Sequence, residues 1–213
     1  MTFDQLNEKL GGAENPSDWH QHKNGGGWVK NNAKVGDTAF VGENAIVFNA
    51  RVYGDARVYG DARVFGNAWV YGNAWVDGDA WVYGDAQVFG DARVCGDAQV
   101  FGDAQVFGDA RVYGDAQVYG DARVYGNARV YGNAWVYGNV WEKSPLFILG
   151  TKHSIFEPKK GFIQVGCRCE SPEWWLSPDG DEFAKDNSYS EAEIAEYKLY
   201  VNLFVARNSL INP

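Results

Sequence analysis

From Ala33 to Asn139 the chain repeats a six-residue pattern of apolar and polar positions, A-x-V-x-G-[DN], as in Ala104-Gln105-Val106-Phe107-Gly108-Asp109. Val stands at 35, 41 and 47 and then at every sixth position from Val52 to Val136, which makes eighteen units. Within a unit Ala and Val lie two apart, so they share one face of a short strand while the residues flanking Val share the other. Gly followed by Asp or Asn tolerates the left-handed backbone that a corner needs. One unit is irregular: Ala45 to Ala50 spans five residues, so the corner near Asn49 lacks its Gly and is expected to be tightened.

The flanks follow other rules. Residues 1–32 hold a short helical pattern at Phe3 to Leu10, then Gly11-Gly12, Pro16 and Gly25-Gly26-Gly27. They read as a loop-rich lead-in that covers the first open sheet edge, with Trp19 and Trp28 as plugs. After Trp141 the period stops, and Lys, absent from 50 to 139, returns. Leu146 to Leu149 predicts a strand, Pro158 to Gly161 a turn, and Phe162 to Cys169 a second strand with Cys167 and Cys169 on its apolar side. Ser171-Pro172 opens a helical turn bearing Trp174 and Trp175. Ser190-x-x-Glu193 is a capping-box pattern before a helix to about Arg207, with Ile194, Tyr197, Val201 and Phe204 on one stripe. The organisation expected is a lead-in over 1–32, a repeat domain over 33–141 and an α+β cap over 142–213.

The repeat resembles the hexapeptide-repeat family. That resemblance implies a left-handed parallel β-helix, a triangular prism with three six-residue sides per coil. Eighteen units then give about six coils, and strand spacing makes the prism roughly 29 Å long. The approach GGGWV at 25–29 and the tail are similar to those of hexapeptide-repeat proteins of bacteria and phages. Members of the wider family include acyltransferases, which use a His base beside the coils, and zinc carbonic anhydrases, which need three His ligands. The resemblance also implies assembly, commonly as trimers.

Stacking residues eighteen apart turns the outer surface into columns. One carries Tyr53, Tyr71, Phe89, Phe107 and Tyr125, and another Phe65, Tyr83, Phe101, Tyr119 and Tyr137, both expected as unbroken aromatic ladders. The third reads Tyr59, Asp77, Cys95, Tyr113, Tyr131, beside Arg57, Trp75, Arg93, Arg111 and Arg129. Trp69, Trp75 and Trp81 stand in successive units and form a belt around one coil. Exposed aromatic ladders favour self-association, because a monomer rarely leaves a large apolar patch in water. The candidate binding residues are therefore Arg93, Arg111, Arg129, Asp77, Trp75, Trp69 and Trp81.

Charge and composition narrow the function. A net charge of -9 argues against a general nucleic-acid or anionic-membrane binder. No apolar window is long enough for a membrane span, and three cysteines with no leader at Met1-Thr2-Phe3 point to a reducing cytoplasm. His occurs only at 20, 22 and 153, outside the repeat, so neither the acyl-transfer base nor a zinc triad is expected on the prism, and no cofactor. His20-x-His22 and Cys167-x-Cys169 form a zinc set only if the two ends of the chain meet. The Asp corners (Asp79, Asp97, Asp115; Asp85, Asp103, Asp121) read as turn residues rather than calcium ligands, since Asn replaces Asp freely. The expected function is a non-enzymatic scaffold for binding or assembly, a dimer or trimer that self-associates along an aromatic side and presents another side to a partner, with a protein's acidic surface or a small anionic ligand expected at the Arg-rich side. A phage-type inhibitor or ligand-sequestering protein and a hexapeptide-repeat acyltransferase are the rival readings.

Overall fold

A computed structural model describes residues 1–138, 140–141 and 143–211. Asn139, counted above as the end of the repeat, and Glu142, the boundary of the tail, lie outside the described residues. The chain divides into two compact units, Met1–Ser144 and Pro145–Pro213.

The first unit is a β-solenoid of about six turns, built from three parallel sheets that each receive one strand per turn. The first sheet runs through Ile46–Phe48, Arg63–Phe65, Trp81–Val82, Gln99–Val100, Gln117–Tyr119 and Trp135–Tyr137. The second holds Phe40–Val41, Arg57–Val58, Trp75–Val76, Arg93–Cys95, Arg111–Tyr113 and Arg129–Val130, and the third runs from Lys34–Val35 to Val140–Trp141. Register is set by the eighteen-residue period, which pairs Val58 with Val76 and Val76 with Val94. The interior is the alternation read from the sequence: every repeat Val from Val41 to Val136 is fully buried, as is the Ala column beside it. Burying one Val stabilises by about 1.5–3 kcal/mol, so the stacked column dominates the unit's stability.

At the corners, glycines at every sixth position from Gly54 to Gly138 hold φ between +58° and +75°. At the corners of Gly66, Gly72 and Gly90 the residue after Gly donates its N–H to the Gly carbonyl of the next turn, Asn67 to Gly84 at 2.8 Å, Asn73 to Gly90 at 2.9 Å and Asp91 to Gly108 at 3.0 Å. At the short unit Asn49 itself takes the left-handed conformation, φ +52°, and its N–H donates to Asn32 Oδ1 at 3.1 Å. A single residue there does the work of the usual Gly and its successor.

The solenoid also begins earlier than the repeat. Trp28–Lys30 pairs in parallel with Ile46–Phe48 and antiparallel with Trp19–Gln21, so the segment read as a lead-in supplies two strands to the first sheet. The helix α1 (Phe3–Lys9), closed by a capping box from Thr2, buries Leu6 with Trp19 and Ile46.

The second unit is a four-stranded antiparallel sheet, Phe147–Leu149, Ser154–Lys159, Phe162–Val165 and Arg168–Glu170 in that order, with three helices. Two expectations are corrected here. Pro158 belongs to a strand rather than a turn, the reversal being carried by Lys160-Gly161 with Gly161 at φ +80°. Phe162 to Cys169 is not one strand: Gly166 at φ +55° turns the chain, so Cys167 is exposed and Cys169 half-buried instead of both facing the core. Helix α2 (Pro172–Trp175) starts at Ser171 as read, and α3 (Pro178–Asp186) repeats the device with Ser177 as cap. Helix α4 (Glu191–Ile211) runs four residues beyond the expected end. Tyr197, Val201 and Phe204 pack on Ile155, Ile163, Val165 and Trp175, whereas Ile194 is only half-buried.

The corner geometry makes a graded prediction. A Cβ at Gly60 would lie 2.8 Å from the Gly78 carbonyl oxygen, whereas at Gly108 its nearest neighbour is at 3.2 Å. Both substitutions carry the left-handed cost of about 1–2 kcal/mol. Gly60→Ala should therefore lower the urea midpoint more than Gly108→Ala, and equal midpoints would show that the backbone approach between turns does not matter.

Candidate functional site

The position before each Val faces outward, so the eighteen-residue period sets Arg51 beside Trp69, Arg57 beside Trp75 and Arg63 beside Trp81. Neighbouring turns are close enough for the guanidinium to lie over the indole. The carbon-to-centroid distances are 4.5, 5.3 and 5.0 Å. Trp75 is covered from the other side as well, by Arg93 at 4.9 Å. The three tryptophans thus belong to one turn, one on each sheet. Sequence reasoning found the tryptophans and missed Arg51 and Arg63, although the Arg-to-Trp spacing of eighteen was there to read.

Beside each Arg–Trp pair lies a surface groove. The first, about 640 Å³, is lined by Lys34, Arg51, Asn49, Asn67, Trp69 and Asp85 among others, at the corner that the short unit tightens. The second, about 500 Å³, has Arg57, Tyr59, Asn73 and Trp75 with Asp55. The third, about 500 Å³, sets Lys9 and Arg63 against Asp61, Asp79 and Asp97. Charge therefore grades around the turn, from cation-rich to acidic.

The predicted binding residues do not all come together. Trp75, Asp77, Arg93, Arg111 and Arg129 share the second sheet, while Trp69 and Trp81 lie on the other two. On the second sheet Arg93, Arg111 and Arg129 stand in register. Among the described residues neither Arg111 nor Arg129 forms an ion pair. Asp77 does not serve them: its carboxylate accepts from the N–H of Gly78 at 2.7 Å, turned onto its own corner. Burial pushes the Cys95 thiol up, and Asp77 adds to the shift, so the thiol stays protonated at neutral pH.

The aromatic columns are stacks. On the first sheet Phe48, Phe65, Tyr83, Phe101, Tyr119 and Tyr137 follow one another at 4.9–5.2 Å. On the third, Tyr71 to Tyr125 stack at 4.8–5.0 Å. Tyr53 is an exception to the expected unbroken ladder: it is 39% exposed, and its ring leans on Gly36, which offers no aromatic partner. On the second sheet Phe40 meets Tyr59 at 4.9 Å and Tyr113 meets Tyr131 at 5.6 Å, with the gap at Asp77 and Cys95 between them. Because each ring covers the next, the stacks present edges rather than faces.

The histidines and remaining titratable groups lie elsewhere. His20 Nδ1 is 2.9 Å from Asn31 Oδ1 on the antiparallel edge strand, and buried His22 is tied to Asn24. His153, Cys167 and Cys169 belong to the second unit. Among the described residues no group of three or more His, Cys, Asp or Glu is placed to hold a metal ion. In the second unit Glu157 is 4% exposed and accepts from the Gly161 N–H and from Asn208, both at 3.1 Å. Burial pushes its carboxyl above the ordinary 4.5, the hydrogen bonds and the nearby Arg207 and Lys160 opposing only in part.

The three-sheet solenoid defines the class of the repeat. Its sequence is similar to the YdcK beta solenoid repeat, whose model matches residues 50–64, 56–72, 86–103, 104–120, 116–129, 122–138 and 128–143. No curated protein and no solved structure matches the chain. Among the described residues no helix is long and apolar enough to cross a membrane.

Two measurements probe these arrangements. Arg57→Gln removes a stacked guanidinium and should cost about 0.5–1 kcal/mol, the value of an exposed cation–π contact, read as a lower urea midpoint of the solenoid; an unchanged midpoint would assign Arg57 no structural role. Glu157 has a folded pKa raised above its unfolded value, so it favours the folded state at low pH and loses that contribution as pH rises from 4.5 through the folded pKa. Glu157→Gln should flatten this fall in the stability of the second unit, and a variant with the wild-type pH profile would locate the linkage elsewhere.

Proposed function

We propose that the protein is a non-enzymatic scaffold for binding and assembly, a left-handed β-helix of triangular cross-section whose Arg-rich second sheet receives an acidic partner surface or a small anionic ligand. The observation that carries this reading is the Arg93–Arg111–Arg129 column. Guanidinium groups at turn spacing repel one another, Asp77 is held on its own corner, and the break in the aromatic stack at Asp77 and Cys95 leaves room beside them. The left-handed winding follows from the resemblance to hexapeptide-repeat proteins alone, and the triangular cross-section is supported by the three sheets that successive strands enter in turn. Self-association and a cytoplasmic setting belong to the same proposal.

Acyl transfer is the weaker reading. The acyl-transfer base of the resembling enzymes is a His beside the coils, and between 33 and 139 this chain has none. Purified protein should transfer neither acetyl nor succinyl groups from coenzyme A; turnover that survives removal of His20, His22 and His153 would overturn the site logic. The binding test uses an acidic peptide and a carboxylated oligosaccharide as probes on wild-type protein and on Arg93→Glu with Arg111→Glu. Loss of charge-assisted hydrogen bonds should weaken binding roughly tenfold or more. Equal affinity in the folded double variant would remove this column from the reading.

A further inference from the structure

Helix α4 has two apolar faces, and the second unit uses one. Tyr197, Val201 and Phe204 turn into the core. Opposite them Leu199, Leu203 and Leu210 are 70%, 50% and 81% exposed, and Ala192 and Ala206 are exposed in line with them. Large apolar side chains this open are costly to leave in water when they lie contiguously. The aromatic stacks of the solenoid pose less of a problem, because their ring faces cover one another.

The spacing says what fits. Ala192, Leu199 and Ala206 recur every seven residues, and Glu196, Leu203 and Leu210 recur every seven in the alternate positions. That is the seam of a two-helix coiled coil, in which each side chain enters a hole on a facing helix with the same period. A flat surface or a strand edge offers no such holes. From Ala192 to Leu210 the seam is about 27 Å long.

We infer that α4 is the surface on which the chain pairs with a second copy of itself, in antiparallel orientation; this rests on the self-association in the scaffold reading and gives it a place. Orientation follows from Glu196. A parallel pair would bring the Glu196 carboxylates of both chains together in the seam, where like charges are taken out of water at high cost. The antiparallel pair sets Glu196 against the partner's Ala206, Leu199 against the partner's Leu203 and Leu210 against the partner's Ala192. Large side chains then meet small ones at both ends and leucines meet at the centre. Glu196 keeps the hydrogen bonds from Thr151 and Tyr200 that hold its carboxyl below the usual range. Glu191 and Glu193 in the first turn come beside the helix half that carries the partner's Arg207, and the two macrodipoles oppose.

The test uses the full chain in analytical ultracentrifugation across a concentration series. Wild type should be a dimer at tens of micromolar. Leu199→Glu with Leu203→Glu should raise its dissociation constant on the order of 100-fold or more, with unchanged circular dichroism, since both leucines are exposed. Leu210→Lys should weaken it in the same direction. An equimolar mixture of Ala192→Cys and Leu210→Cys chains should cross-link as a mixed pair beyond the background of Cys95, Cys167 and Cys169. A dimer that survives the double Glu variant, or that Tyr71→Ser with Phe89→Ser dissociates instead, overturns α4 as the surface while leaving self-association intact. Cross-linking of Leu210→Cys only to itself overturns the antiparallel arrangement. Wild type monomeric throughout overturns both this inference and the assembly reading beneath it.

Discussion

A Val stacked on a Val eighteen residues away is the contact on which the first unit depends. One strand of two or three residues is far too short to be stable alone, and an isolated turn would expose both of its edges. Stacking removes both difficulties. From Val41 onward the Val column leaves water entirely, and the residue before Val donates its N–H to the Ala carbonyl of the following turn, as Arg57 does to Ala74 and Trp75 to Ala92, both at 2.9 Å, while the residue after Val donates to the Val carbonyl, as Tyr59 does to Val76 at 2.8 Å. Stability is then a sum over neighbouring turns, and any residue placed before or after Val inherits a neighbour of fixed position.

The outer surface is a consequence of that inheritance. Rings stack at 4.8–5.2 Å because the backbone holds them at that spacing. Arg lies on Trp for the same reason. A stacked guanidinium contributes about 0.5–1 kcal/mol against about 1.5–3 for a buried Val, so the belt decorates the column rather than sustaining it. This ordering lets the outer face vary without loss of the fold: Asp77 and Cys95 interrupt an aromatic column while Val76 and Val94 remain paired beneath them. Freedom outside and rigidity inside are what the proposed binding role would need.

The second unit follows a different logic. Its helices start at serine caps, its sheet is antiparallel, and its core joins Ile155 and Ile163 to Tyr197, Val201 and Phe204. Alternation misled at Phe162 to Cys169 because Gly166, at φ +55°, turns the chain before the apolar period is exhausted. In the solenoid fifteen glycines at every sixth position announce that conformation; Gly166 belongs to no such period and sits among residues that would serve equally in a strand.

Periodicity by itself determined the solenoid's inner face and its corners, since a six-residue unit that alternates Ala and Val inward leaves the flanking residues outside and Gly at the turn; the eighteen-residue register and the outer columns needed, in addition, the three-sided coil that the resemblance to hexapeptide-repeat proteins implies, and the strand pairing has that register. It located the tryptophan belt on one turn and, through Ser171 and Ser190, the starts of two helices. Tertiary structure decided what each exposed side chain touches. Only there does Asp77 turn to Gly78 rather than to an arginine, Tyr53 lean on Gly36, Cys167 reach solvent, and α4 keep Leu199, Leu203 and Leu210 uncovered. Backbone period is set by residues near in sequence, whereas the partner of an outward side chain is chosen among neighbours from other turns and strands that compete at similar energy.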